Sequence, residues 1–268
     1  LLLRHRVDRR PLVSEAEALQ VAETPGVLLP AQQRRAALGV GEEDPLVVVD
    51  HQRDQVEAHL SEIAPQVVTA VQEQLRGTGD AVRSGLVGLG ELAGDVVVTS
   101  GDVPLLTGDT LRGLVEAHRG EGNAVTVLTT IAADPTGYGR IVRDGGEVTR
   151  IVEQRDAGET ERAITEINAG IYVFDAQVLQ AGIADLSDDN AQGELYLTDV
   201  IGFARGLGRR VGGSVLTDAL QAEGVNDRIQ LAALSTELNR RILRRWMAEG
   251  VTVIDPATTW IDVDVAIG

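Results

Sequence analysis

Apolar runs the length of a strand alternate along this chain with stretches whose apolar positions recur at helical spacing. Leu46-Val47-Val48-Val49, Asp95 to Ser100, Ala124 to Thr129 and Gly170 to Phe174 are the strand-like runs. They are nearly continuous in apolar and β-branched residues, which predicts strands buried on both faces. Asp54 to Ile63, Gly79 to Leu89 and Asp109 to His118 carry the helical pattern between them. Strand and helix in alternation predict an α/β fold, an open sheet with helices on both faces. Ligands of such sheets sit at the carboxyl ends of the strands. Polar segments that directly follow a strand are therefore the first candidates for chemistry.

The two ends of the chain read differently. Ile229, Leu234, Leu238, Ile242 and Trp246 fall at helical spacing, with Arg240, Arg241, Arg244 and Arg245 on other faces. This predicts one long amphipathic linker helix over 229–250, stopped by Gly250. Val251 to Gly268 turns strand-like again, too short to pack alone, as though a second domain begins there. Residues 1–45 hold Arg4, Arg6, Arg9, Arg10, Arg34 and Arg35 and little periodicity. One weak helix, Ser14 to Ala22, is predicted there, with Ser14 as N-cap and Glu17 completing a capping box. The segment as a whole is read as atypical, either disordered or mistranslated. That leaves 46–228 as the main domain.

Composition narrows the function classes. The 268 residues are 43% hydrophobic, enough for a sizeable core. Asp and Glu total 41 against 24 Lys plus Arg, for a formal charge of -17. Such a chain repels nucleic-acid backbones and anionic membranes. Cysteine is absent, which removes disulfides, thiolate metal sites and thiol catalysis. No apolar run reaches the roughly 18 residues of a membrane span, and Leu1 to Arg10 is too short for a signal-peptide core. A soluble cytoplasmic protein is expected. All 24 basic residues are arginine, so any step that needs a lysine must be done otherwise.

Several segments carry candidate chemistry, and each also has a plain structural reading. Asp102, in Thr99-Ser100-Gly101-Asp102-Val103-Pro104, follows a buried strand and is well placed to hold Mg2+ beside a polyphosphate; it could equally be a turn aspartate. Gly77-Thr78-Gly79 opens a helix and offers backbone N–H groups to an anion or a base edge, with Gln72 supplying an amide nearby. A tight strand–helix turn explains the same residues. Asp134 to Arg140 is a loop in which Gly139 would let a sugar ring lie against the backbone, or an ordinary turn. Glu153 sits in a strand-like run where a charge is costly unless used, and Asn168 precedes a strand; together they could grip sugar hydroxyls. Asn226 would be the N-cap of the linker helix, or an amide oxygen for a metal. His5, His51, His59 and His118 have no ligand spacing, and no Ser/His/Asp arrangement points to a hydrolase.

In order along the chain, seven segments resemble bacterial N-acetylglucosamine-1-phosphate uridyltransferases. They are Gly77-Thr78-Gly79, Thr99 to Leu106, Asp134 to Ile141, Ile151-Val152-Glu153-Gln154, Glu166 to Gly170, Asn190 to Asp199 and Gly224-Val225-Asn226-Asp227-Arg228. The similarity runs from about Val47 to Gly268, and Asp255 to Val265 resembles actinobacterial members in particular. The resemblance implies a Rossmann-like nucleotidyltransferase (GT-A-like) mixed sheet, then the truncated start of a left-handed β-helix at 251–268. It implies uridylyl transfer from UTP to N-acetylglucosamine 1-phosphate, with Mg2+ as cofactor, in cell-wall precursor synthesis. By the same resemblance Asp102 and Asn226 hold the metal and Gln72, Gly77 and Thr78 recognise uracil. Gly139, Glu153 and Asn168 bind the sugar, and Tyr196 and Thr198 line its pocket. The family's acetyltransferase activity and trimer contacts belong to β-helix repeats that this sequence only begins, so a monomer without that activity is expected.

The sequence departs from the family pattern at one end. The family opens with a strand and a loop of the type Leu-Ala-Ala-Gly-x-Gly-Thr-Arg-Met, and later carries a Pro-Lys-Val-Leu segment. Neither stands here; Thr24-Pro25-Gly26-Val27-Leu28 is the nearest look-alike, with glycine in the lysine's place. Losing a phosphate cradle and a cation removes several kcal/mol of transition-state stabilisation, unless an arginine such as Arg34 or Arg35 replaces the lysine. The alternative is a catalytically impaired remnant that at most binds sugar nucleotide. Two further readings are a nucleotidyltransferase for a different sugar or nucleotide and an acidic interaction module with no ligand; the second leaves the ordered motifs unexplained.

Overall fold

The computed structural model describes residues 2–4, 45–50, 53–87 and 89–268. Among the described residues nine strands form one sheet: β1 Leu2–Arg4, β2 Leu46–Val49, β3 Val68–Val71, β4 Asp95–Thr99, β5 Val125–Ile131, β6 Arg140–Asp144, β7 Glu147–Val152, β8 Glu166–Asp175 and β9 Val211–Leu216. The helices are α1 Arg53–Ile63, α2 Thr78–Leu86, α3 Gly108–Glu121, α4 Glu159–Arg162, α5 Ala176–Asp185, α6 Asp199–Gly206 and α7 Arg228–Ala248, with a 3-10 turn at Ala219–Ala222.

The sheet order is β3-β2-β1-β4-β8-β5-β9, and β6 and β7 form a hairpin that joins β8 through Arg140 and Ile167. β2 pairs β3 in parallel and β5 pairs β9 in parallel. β1 lies antiparallel to both β2 and β4, and β8 antiparallel to both β4 and β5. It follows that β2, β3, β4, β5 and β9 all point one way. Their carboxyl ends share one edge of the sheet, and the start of β8 lies on that same edge.

Alternate residues of the central strands enter different cores, which is why these runs are apolar throughout. Val96, Val98, Tyr172 and Phe174 face α2, α5 and α6 through Val82, Leu179, Ile183, Val200 and Ile201. Val97, Ile171 and Val173 face α3 through Leu111, Leu114 and Val115. On β2 the second layer is α1, where Val47 and Val49 meet Val56 and Leu60. The expected mixed sheet with helices on both faces is what forms.

Three expectations need correction. The helix expected to run to Leu89 ends at Leu86, its cap Val87 already extended. The N-cap of α7 is Asp227, not Asn226: the Asp227 carboxylate accepts from the N–H groups of Ile229 and Gln230, both at 2.8 Å. Val251 to Gly268 contains no strand. A strand exists by pairing, and this stretch finds no ladder among the described residues. It is held instead by Asn239 of α7, whose amide donates to the Thr259 carbonyl and accepts from the Ile261 N–H. Leu2–Arg4 forms a strand inside the segment read as atypical. The helix expected at Ser14 to Ala22, and Arg34 and Arg35, lie outside the described residues.

Candidate active site

The ten residues singled out from the sequence gather along the carboxyl-end edge of the sheet in three groups. The first is the candidate metal pair. β4 ends at Thr99, and the loop beyond it presents a half-buried Asp102. Its carbonyl accepts from the Val225 N–H at 2.9 Å, which ties this loop to the one carrying Asn226. Asp227 takes the capping role, so the exposed Asn226 carboxamide is spared it. The Asp102 carboxylate lies against the Gly224 backbone: a Cβ on Gly224 would sit 2.8 Å from Asp102 Oδ2. Among the described residues no cluster of three or more acidic or histidine side chains could hold a metal. One carboxylate and one amide oxygen suit a hard cation that keeps water and takes its other ligands from phosphates, as Mg2+ does.

The second group starts at the end of β3. Gln72 is buried, and its amide donates to Asp80 Oδ2 at 3.0 Å and to the Gly77 carbonyl at 3.3 Å. Arg83 pairs with the other side of Asp80. With both N–H groups drawn inward, Gln72 Oε1 is left to accept. The Gly77-Thr78-Gly79 turn is hooked onto a distant segment: Leu195 donates to the Arg76 carbonyl at 2.7 Å and accepts from the Gly79 N–H at 2.8 Å. Thr78 Oγ1 takes the Leu197 N–H at 3.2 Å. The partner segment is the one bearing Tyr196 and Thr198, so the turn and these side chains are placed together.

The third group surrounds Glu153, just past β7. A Cβ on Gly139 would lie 3.2 and 3.3 Å from the two Glu153 oxygens and 2.8 Å from Ile151 Cγ2, so only glycine fits without displacement. The Gly139 carbonyl accepts from the Asn168 N–H at 2.9 Å. The Asn168 side chain bonds the Tyr172 hydroxyl at 2.6 Å and the Gly170 N–H at 2.9 Å, which fixes its orientation. Thr198 donates to Glu153 Oε1 at 3.3 Å and so links this group to the second. Burial pushes the Glu153 carboxyl above its usual range; the Thr198 hydroxyl and the Arg140 charge oppose this, and Asp156 and Asp199 add to it. Burial likewise raises the Tyr172 and Tyr196 hydroxyls.

Residues that the sequence reading passed over complete the site. Asp156 accepts from the Ala191 N–H at 2.9 Å and from the Tyr196 hydroxyl at 3.3 Å. Asp80 holds Gln72, and Arg140 lies buried behind Gly139. Each stands within three residues of a residue that was singled out, which was the available signal. His118, given no role, is buried away from this edge, 2.9 Å from Thr126 Oγ1 and 3.5 Å from Asp95 at the start of β4.

An open α/β sheet with a carboxylate after a central strand, a glycine turn and a polar cluster at one edge has the layout of a ligand-handling enzyme. The chain belongs to the nucleotidyl transferase family, whose description matches residues 18–263. Within that family it is similar to the bifunctional protein GlmU of Cutibacterium acnes, 57% identical over 237 residues, covering 86% of this chain and 56% of that protein. It is also similar to the bifunctional protein GlmU of Thermobifida fusca, 54% identical over 228 residues, covering 83% of this chain and 47% of that protein. The chain thus spans about half the length of these relatives. Among solved structures, a putative glucose-1-phosphate thymidylyltransferase from Bacillus anthracis matches with a TM-score of 0.52 at 19% identity, over 79% of this chain and 78% of that one. That likeness shows the fold. No helix among the described residues is long and apolar enough to cross a membrane.

Proposed function

We propose that this chain transfers a uridylyl group from UTP to N-acetylglucosamine 1-phosphate, giving UDP-N-acetylglucosamine and pyrophosphate for cell-wall precursor synthesis. A phosphate oxygen of the sugar phosphate attacks the α-phosphorus of UTP. The bond from that phosphorus to the oxygen bridging to the β-phosphate breaks, and pyrophosphate leaves with it. No covalent enzyme intermediate is needed, so positioning and charge compensation carry the rate.

The chain's residues divide that work. Gln72 Oε1 accepts from the uracil N–H, and the Gly77-Thr78 turn packs the base edge. Glu153 accepts from sugar hydroxyls, the Gly139 backbone lies against the ring, and Asn168 uses the hydrogen-bonding capacity left after Tyr172 and Gly170. Tyr196 and Thr198 wall the sugar side. Asp102 and Asn226 would hold Mg2+, which when bound supplies compensation for the phosphate charge. The same reading makes 46–228 the nucleotidyltransferase domain, 229–250 a linker and 251–268 the start of a left-handed β-helix. It also makes the protein cytoplasmic.

The observation that carries the reading is the convergence of the Asp102–Asn226 pair and the Gly139–Glu153–Asn168 group on one sheet edge. The test is pyrophosphate release from UTP and N-acetylglucosamine 1-phosphate with Mg2+, beside an Asp102→Asn control. Turnover that the control loses supports the proposal. A folded chain with no turnover, or turnover that Asp102→Asn keeps, refutes it. A second reading, binding of sugar nucleotide without turnover, is favoured by one sequence fact, that none of the 24 basic residues is lysine. Saturable UDP-N-acetylglucosamine binding by a chain that releases no pyrophosphate would establish it.

A further inference from the structure

Arg140 is the largest fully buried side chain among the described residues, 1% exposed. It opens β6 directly after Gly139. One of its terminal nitrogens donates to the Tyr138 carbonyl, and the other to Gln154 Oε1 at 2.6 Å. Both acceptors are uncharged. Its Nε is buried with no partner. A guanidinium stays charged in a protein, and burying it on neutral acceptors alone is costly. A fold bears such a cost where the charge has work to do.

The surroundings show the work. Gln154 Oε1 also takes the Gly137 N–H at 3.2 Å, so Arg140 and Gln154 together clamp the 137–139 backbone onto the end of β7. Glu153 is the neighbour of Gln154, and Gly139 the neighbour of Arg140. The charged and titratable groups facing Glu153 are Asp156 from its own loop, Asp199 from the start of α6, Tyr172 from β8, Tyr196 beside Thr198, and Arg140 from β6. Of these, Arg140 is the cation.

We propose that Arg140 is a positioning residue for the sugar phosphate: its buried fork locks Gly139 and Gln154 in place and sets a positive charge on the Glu153 side of the site. This rests on the assignment of Gly139 and Glu153 to the sugar. The residue touches no reacting atom, and its effect passes through those two groups.

The test is steady-state kinetics across pH on three variants, with UTP as the internal reference. Arg140→Gln should raise KM for N-acetylglucosamine 1-phosphate ~10-fold while KM for UTP stays within about twofold. It should also move the acid limb of kcat/KM for the sugar phosphate upward. Gln154→Leu keeps the charge and loses the hook, so KM should rise with the limb unmoved. Arg140→Lys should do the same, and it serves if Arg140→Gln does not fold. Equal changes in both KM values, or an acid limb that moves in Arg140→Lys, would overturn the proposal.

A ligand-free measurement separates this proposal from the one it rests on. The Glu153 carboxyl can be titrated by 13C NMR, assigned by difference with Glu153→Gln. Its midpoint should rise in Arg140→Gln relative to the parent chain, and an unchanged midpoint overturns the role of Arg140. A parent chain that turns over no sugar phosphate would sink the functional reading, while this titration would still decide what Arg140 does.

Discussion

Gly77 meets Leu195 backbone to backbone: a Cβ on Gly77 would lie 2.7 Å from the Leu195 carbonyl oxygen. Gly77 also has φ +98°, a conformation that L side chains rarely adopt. The turn that opens α2 and the segment carrying Tyr196 and Thr198 are therefore one rigid unit. In the functional reading that unit joins the base end of the nucleotide to the sugar pocket.

Gly77→Ala should pay for both the strained φ and the contact with Leu195. Strain of this kind costs about 1–3 kcal/mol, and the clash adds to it. Denaturant unfolding should show the loss directly. KM for UTP and for the sugar phosphate should rise together, because the displaced Leu195 moves Tyr196 and Thr198 with it. A rise confined to UTP would mean the two segments are not coupled.

Gly224→Ala probes the proposed metal pair while leaving both Asp102 and Asn226 in the sequence. Its added Cβ would meet Asp102 Oδ2 at 2.8 Å, the far end of a half-buried side chain that can swing away. The fold should survive with an unfolding midpoint close to the parent's. The swing takes the carboxylate off the proposed metal position, so the Mg2+ concentration for half-maximal pyrophosphate release should rise ~10-fold, about 1.4 kcal/mol of ligand binding. An unchanged Mg2+ requirement would separate Asp102 from the metal.

What the sequence made legible follows burial. β2 and β4 could be read because α1, α2 and α3 cover both faces of the sheet and force continuous apolar runs. β3 Val68–Val71 lies at the sheet edge and is only partly covered, so its pattern was weak. β6 and β7 carry Arg140, Arg143 and Arg150, charges that only tertiary partners explain: Gln154, Glu166 and Glu161. β9 begins Val211-Gly212-Gly213, where added Cβ atoms would strike Asn123 and Arg143. Its glycines answer to packing from elsewhere in the chain, which no local pattern records. The site divided in the same way. Residues in local motifs were visible, whereas the hold of Asp80 on Gln72 and the clamp of Arg140 on Gln154 needed the fold.

Glu166 gives a pH prediction with a definite sign. Arg143 holds its carboxylate through two bonds, 2.6 and 2.8 Å, and Thr129 adds a third at 2.6 Å. Burial raises this carboxyl, but the Arg143 and Thr129 bonds outweigh it and hold it below the ordinary value of 4.5. A depressed carboxyl stabilises the fold above its unfolded value and loses that contribution as pH falls through the folded one. Glu166→Gln should therefore cost about 2 kcal/mol at pH 7. The gap to the parent chain should narrow as the pH drops below 4.5. Parallel stability curves down to pH 3 would mean that the pair contributes nothing.

Glu153 should behave in the opposite sense, and the contrast separates a binding residue from a structural one. Burial, with Asp156 and Asp199, raises its carboxyl more than Thr198 and Arg140 lower it. A raised carboxyl contributes against folding once the pH exceeds its unfolded value, because the native state disfavours the charge. Glu153→Gln keeps the shape and removes that charge, so at pH 7 the variant should unfold at the parent's midpoint or above it. The stability difference should grow as pH rises from 4.5. Sugar binding should move the other way. A hydroxyl that loses a charged acceptor loses about 1.5–3 kcal/mol, so KM for the sugar phosphate should rise roughly 10- to 100-fold. A group kept for the fold would lower stability when neutralised and leave KM alone. A group kept for a ligand costs stability and is retained for what it binds, and only the paired measurement of unfolding midpoint and KM tells the two apart.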